Sequence, residues 1–174
     1  MLSDKFTTLV EEHADELEKR WARMLKEHAA TQSYHRIDDR ELEDNIREVY
    51  RNLGMYMDNE HDAETLAHFL MDIGARRKSQ GIPLSDLTYA IILARQNLWE
   101  YIMERGLFTS ALEWHQVSEF WQRVMNFFDK NVYFVVVGYE EGEVPVKSSK
   151  DTVSQLLHSF SMGVFPEVER GKVR

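Results

Sequence analysis

The stretch Gly81-Ile82-Pro83-Leu84-Ser85-Asp86-Leu87-Thr88-Tyr89-Ala90-Ile91-Ile92-Leu93-Ala94-Arg95-Gln96-Asn97-Leu98-Trp99 decides the fold. Gly81 suits the left-handed residue that follows a helix. Pro83 presets the backbone of a turn, so Gly81 and Pro83 read as turn-shaping residues. Ser85 can cap the helix that comes next. That helix, Asp86 to Arg105, is apolar on every face through Tyr89–Ala94. A helix apolar all round is surrounded by protein, so it belongs at the centre of a domain. Its length of roughly 30 Å is about the width of a small domain.

Working outward, the flanking segments carry one apolar stripe each. From Asp4 to His28, Phe6, Leu9, Val10, Leu17, Trp21, Met24 and Leu25 recur at helical steps with one wider gap. Ser3 is a cap candidate for this helix. Thr31–Arg36 reads as a loop. Asp38 and Glu41 are spaced as a capping box for a second helix through Leu42, Ile46, Val49, Tyr50, Leu53 and Met57. A polar break, Asp58–Asp62, precedes a third helix that ends near Ser79.

Beyond Gly106, Thr109 or Ser110 can cap a fifth helix through Leu112, Val117, Phe120, Trp121, Val124, Phe128, Val132, Val135 and Tyr139. Val132–Val137 also has strand-like composition, but no second strand exists to pair with it, which favours helix. Residues 140–145 read as a linker. A short helix is expected over Lys150–Phe160, and Pro166–Arg174 carries no core pattern. The expected fold class is therefore all-α, a globin-like or helical-bundle domain of five main helices over 1–139, with linker, short helix and tail over 140–174.

Composition narrows the function. The 174 residues make one ordinary domain, and 43% hydrophobic with 29% charged residues describes a folded chain. A net charge of −9 argues against a nucleic-acid surface. The absence of cysteine removes disulfides, thiolate metal sites and cysteine nucleophiles. No stretch is long and apolar enough to span a bilayer, and the N-terminus lacks a signal-peptide pattern. A cytoplasmic protein without a membrane or nucleic-acid partner is expected.

Catalytic signatures are missing: no phosphate loop, no nucleophile elbow and no His-Glu-x-x-His. We therefore expect no enzyme, no catalytic residue, no cofactor and no metal site. Histidines are the remaining reactive candidates. Glu64/His68 and His13/Glu16 have metal-ligand spacing, although exposed polar pairs commonly have it too. His68 and His115 lie near apolar residues and raise a haem or metal reading, a gas sensor or small oxidase, as the rival function. Arg95 interrupts the apolar run. If partly buried it needs either an internal carboxylate, the commoner solution, or a ligand anion. Trp99 is one turn further along the same face and is expected to pack.

The run Gly74-x-Arg76-Arg77-x-x-Gln80-Gly81-Ile82-Pro83-Leu84-x-x-Leu87, continued by Ala94-Arg95-x-x-Leu98-Trp99, resembles the N-terminal domain of RsbR-type proteins. These are co-antagonists of the RsbT kinase in bacterial stress signalling. The resemblance covers about residues 5–139, with its specific part in 74–99. It implies a helical, globin-like, dimeric input module, usually without haem, that serves a separate output domain. It would make Arg95 and Trp99 structural or pocket residues and hands over no catalytic group. Residues 140–174 are too short for a STAS output domain, so a stand-alone module or a fragment, with a separate output protein, is expected. A sensor relaying its signal through the fifth helix is the leading expectation. That helix carries Trp114, Trp121, Phe127, Phe128, Tyr133, Phe134 and Tyr139, which point several ways. A homodimer covering the aromatics left exposed is expected with it.

Overall fold

A computed structural model describes residues 2–58, 62–106, 110–141 and 150–161. The helices in chain order are α1 (Leu2–Glu12), α2 (Ala14–Glu27), a 3-10 segment (Ala29–Arg36), α3 (Asp39–Met57), α4 (Ala63–Ser79), α5 (Leu84–Glu104), α6 (Ala111–Glu140) and α7 (Lys150–Ser161). No strand occurs among the described residues, and Val132–Val137 is helical within α6. The fold is all-α, as expected. The expected cap at Thr109 and the tail Pro166–Arg174 lie outside the described residues, as does the linker beyond Glu141.

The helix count exceeds five for local reasons. The first expected helix is broken at His13, whose backbone (φ −119°, ψ 19°) leaves the helical region. The break falls in the wide gap of the apolar stripe. It lets Phe6, Leu9 and Val10 on one side, and Leu17 and Trp21 on the other, all reach the core. Ser3 is not the cap, because α1 already begins at Leu2. The expected loop Thr31–Arg36 lies in the 3-10 segment, where the buried Thr31 hydroxyl donates to the Leu25 carbonyl at 2.8 Å. Asp38 does cap α3, accepting from the Arg40 N–H at 2.9 Å. The Glu41 arm of the box does not form, because Glu41 turns to Gln80 and Arg77 across the α3–α4 groove. Asp62 caps α4, accepting from Thr65 N–H at 3.2 Å.

Gly81 adopts φ 71° after α4, the left-handed conformation that favours glycine. Pro83, not Ser85, occupies the cap position of α5, with φ −60° and ψ 146°. Its fixed φ feeds directly into the first helical turn, and its carbonyl accepts from Leu87 N–H at 3.0 Å.

α5 is the central helix. Leu87, Ala90, Leu93, Ala94, Leu98, Tyr101 and Ile102 are buried along it. Neighbouring helices reach its backbone where the side chains are small. Trp21 Nε1 donates to the Ala90 carbonyl at 2.9 Å, and the Tyr50 hydroxyl to the Ala94 carbonyl at 2.9 Å. The fully buried polar residue of α5 is Asn97, not Arg95. Its amide donates to the Leu17 carbonyl at 2.9 Å and to the Tyr50 hydroxyl at 3.0 Å. These bonds fix α2, α3 and α5 around a common polar point inside the core.

α4 and α6 approach backbone to backbone. A Cβ on Gly74 would lie 1.9 Å from the Val135 carbonyl oxygen, and one on Gly138 would lie 2.0 Å from that of Met71. Each helix thus contributes one glycine to the crossing. α7 rests on α4 and sends Val153 into the core.

Among the described side chains, the aromatics of α6 form no fully exposed patch. Phe127, Phe128 and Phe134 are buried, and Trp121 is half-buried against Trp99, ring centres 4.3 Å apart. The large exposed hydrophobic residue among those described is Met103, on α5. A 30-residue helix curving past α4, α5, α3 and α1 uses more than one face, and this places its aromatics in several parts of one core. The side chain of Trp114 lies outside the described residues.

Candidate functional site

The packing leaves a cavity of about 40 Å³, open to solvent on one side. It is lined by Trp21 of α2, Tyr34 of the 3-10 segment, Asn45 and Ile46 of α3, Ile73, Arg76 and Arg77 of α4, Leu87, Ala90, Ile91 and Ala94 of α5, and Asn131 of α6. Its wall is mostly apolar, with a few polar groups converging on it, the usual make-up of a small-molecule site. A water needs roughly 10–15 Å³ of such space, so the cavity has room for about three water-sized groups.

The polar lining is built with care for charge. Arg77 is 4% exposed, so its guanidinium must be compensated. It donates to Gln80 Oε1 at 2.7 Å, stands 3.6 Å from Glu41 Oε1 and lies over the Tyr34 ring. Tyr34 is 1% exposed. Burial pushes its hydroxyl pKa up to about 12, opposed by the nearby Arg77 charge. That hydroxyl makes no hydrogen bond with any described residue. Asn45 Nδ2 is buried and also has no hydrogen-bond partner. The Asn131 side chain is 2% exposed. Arg76 is exposed at the rim, and no carboxylate among the described residues pairs with it.

The 3-10 segment is held against α5 by Asp86, whose Oδ2 accepts from the Ser33 hydroxyl at 2.7 Å and from the Ser33 N–H at 3.1 Å. Burial opposes ionisation of Asp86, but the Ser33 and Ser85 hydrogen bonds outweigh it and hold the carboxyl below its ordinary range. On the other side, the Gly81–Leu84 turn is clamped twice. Arg36 donates to the Gln80 carbonyl at 2.9 Å, and the Tyr139 hydroxyl donates to the Ile82 carbonyl at 2.8 Å. Through Tyr139 the last turn of α6 is therefore tied to the turn that starts α5.

The residues singled out in the sequence fall elsewhere or around this site. Gly81 and Pro83 shape the turn below it. Arg95 is half-buried on α5, with no ion-pair partner among the described residues, and does not line the cavity. Trp99 packs on Trp121. His68 has a side chain 42% exposed, with Nε2 3.9 Å from Glu64 Oε1, and faces away from the cavity. The side chain of His115 lies outside the described residues, as does His61. Glu16, the other half of the His13 pair, is taken by the Tyr101 hydroxyl at 2.7 Å and by Arg105 at 2.5 Å. Among the described residues no cluster of three or more His, Asp or Glu is placed to hold a metal. No helix of the described residues is long and apolar enough to cross a membrane.

Sequence reasoning missed Tyr34, Asn45, Arg77 and Asn131 as cavity residues. Only Arg77 had a local signal, since it stands in the stretch that carries the family resemblance. It also missed Glu18, 1% exposed, which receives Arg47 through bonds of 2.9 and 2.6 Å.

Comparison with curated proteins and with solved structures finds no significant match. A family model, the RsbT co-antagonist protein rsbRD N-terminal domain, matches residues 15–145, which includes the whole cavity lining. The chain belongs to the family of RsbT co-antagonist rsbRD N-terminal domains.

Proposed function

We propose that this chain is a non-enzymatic input module of stress signalling, acting on an RsbT-type kinase pathway through a separate output protein. In this reading a small ligand enters the cavity and α6 carries the change onward. The observation that supports it most is the placement of the cavity. Asn131 lines it from the middle of α6, and Tyr139, two turns later, bonds the Ile82 carbonyl at the head of α5. A ligand that moves α5 relative to α6 must strain or release that bond, which gives two states for differential binding to choose between.

Copies associate, in this reading, along one side of α6. Trp121, Met125, Val132 and Val136 are half-buried and fall within a sector of roughly 60° at about 100° per residue. Sedimentation velocity at micromolar concentration checks this part: a stable monomer removes it.

The relay is tested by filling the cavity. Val49→Phe places a ring at the cavity wall from the half-buried flank of α3. Amide exchange over residues 132–141 is then expected to change in Val49→Phe. Adding Tyr139→Phe, which deletes the link to Ile82, is expected to abolish the difference. Unchanged exchange in a folded Val49→Phe protein refutes the relay. The haem reading is checked by the absorption spectrum of protein purified from its native host, where a Soret band lost on His68→Ala or His115→Ala would replace the present proposal.

A further inference from the structure

The cavity offers donors without acceptors. Buried polar groups normally have partners, and one left without costs stability. Here the Asn45 amide nitrogen is buried and unpartnered, and the Tyr34 hydroxyl bonds to no described residue. Arg76 stands at the rim, and no carboxylate among the described residues is within ion-pair distance of it. The missing complement is a group that only accepts hydrogen bonds and carries negative charge. A carboxylate is such a group, with two oxygens and about four lone-pair sites.

The rest of the lining limits what is attached to it. Ile46, Val49, Ile73, Leu87 and Ile91 form an apolar wall, which excludes a second polar end. The volume of about 40 Å³ admits a tail of about three carbons, and the charged end lies at the open rim where Arg76 stands.

We propose that the cavity binds a short-chain monocarboxylate, with the carboxylate held by Arg76 and the unpartnered amide and hydroxyl donors and the alkyl tail against the α3–α4–α5 wall. This deepens the ligand-sensing reading above and rests on it. Arg77 is not the anchor, because Gln80 and Glu41 already compensate it.

The test titrates the full chain with sodium butyrate at constant ionic strength and follows its tryptophan fluorescence, to which Trp21 in the cavity lining contributes. Succinate, butyramide and 1-butanol serve as comparators. Saturable binding of butyrate is expected, at least tenfold tighter than any comparator. Arg76→Gln is expected to weaken butyrate tenfold or more without lowering the thermal midpoint, since Arg76 is exposed and unpaired. Val49→Phe, which adds a ring at the cavity wall, is expected to abolish binding. If butyramide or butanol binds as well as butyrate, or Arg76→Gln binds butyrate unchanged, the carboxylate assignment is overturned while ligand sensing at this cavity stands. If no compound binds, the monocarboxylate proposal is overturned; if in addition Val49→Phe is more stable than the parent and leaves amide exchange over residues 132–141 unchanged, the ligand-sensing reading falls with it.

Discussion

Replacing the glycines at the α4–α6 crossing tests the packing argument most directly. In an exposed helix, Gly→Ala stabilises by about 1 kcal/mol through propensity alone. At Gly138 the new methyl would sit 2.0 Å from the Met71 carbonyl oxygen, and at Gly74 it would sit 1.9 Å from that of Val135. Carbon–oxygen contacts between packed backbones settle at about 3.3–3.6 Å. The helices must therefore part by roughly 1.3 Å, and a gap of about 1 Å already forfeits up to half of each dispersion contact along the seam. An overpacking cost of about 3 kcal/mol set against the propensity gain of about 1 kcal/mol leaves each single variant destabilised by about 2 kcal/mol. For a chain of this size that lowers the thermal midpoint by roughly 4–8 °C. Gly54 is the internal control: it is also helical, but nothing lies within 4 Å of its built Cβ, and Gly54→Ala is expected to stabilise by about 0.5–1 kcal/mol. Because one separation relieves both clashes, Gly74→Ala/Gly138→Ala should cost clearly less than the sum of the singles. Denaturant melts followed by far-UV circular dichroism read all four variants. The reasoning is refuted if Gly74→Ala or Gly138→Ala stabilises as Gly54→Ala does, or if the double variant is additive.

Three further perturbations have definite outcomes. Arg47→Ala leaves the Glu18 carboxylate buried without its cation. A loss of stability is expected, moderated by the exposure of Arg47 to solvent, and Glu18→Gln in the same background should recover part of it in urea melts. The Asp86 carboxyl is held below its ordinary range in the folded chain, so its contribution is complete above the unfolded value of about 3.9 and is lost as pH falls through the folded value. Asp86→Asn should therefore flatten the pH dependence of stability below about pH 4, and an unchanged acid limb would contradict the Ser33–Asp86 lock. Gly81 holds φ 71°. Gly81→Ala should lower stability by about 1 kcal/mol, whereas a neutral result would mean that the turn relaxes.

Much of the fold was legible because it rests on local rules. The all-round apolar run Tyr89–Ala94 announced a central helix, and Gly81 and Pro83 marked the turn that opens it. The helical reading of Val132–Val137 followed from the want of a pairing strand. The break at His13 showed only as a widened gap in the apolar stripe, because a kink that keeps both halves buried needs the partner surfaces to be known. The candidate site was mostly illegible. Tyr34, Asn45, Arg77 and Asn131 stand on four different helical segments, and no local spacing relates them.

Period, capping and turn chemistry act over a few residues, so the sequence by itself determined the long helices, which of them is central and the turn that opens it, but neither the break at His13 nor the 3-10 segment Ala29–Arg36. Burial, by contrast, is a property of what lies opposite. Tertiary structure alone decided that Arg77 rather than Arg95 is the deeply buried cation and that Asn97 is the buried polar group of α5. It also decided that Phe127, Phe128 and Phe134 of α6 are covered by their own chain, and that two glycines 64 residues apart let α4 and α6 meet backbone to backbone.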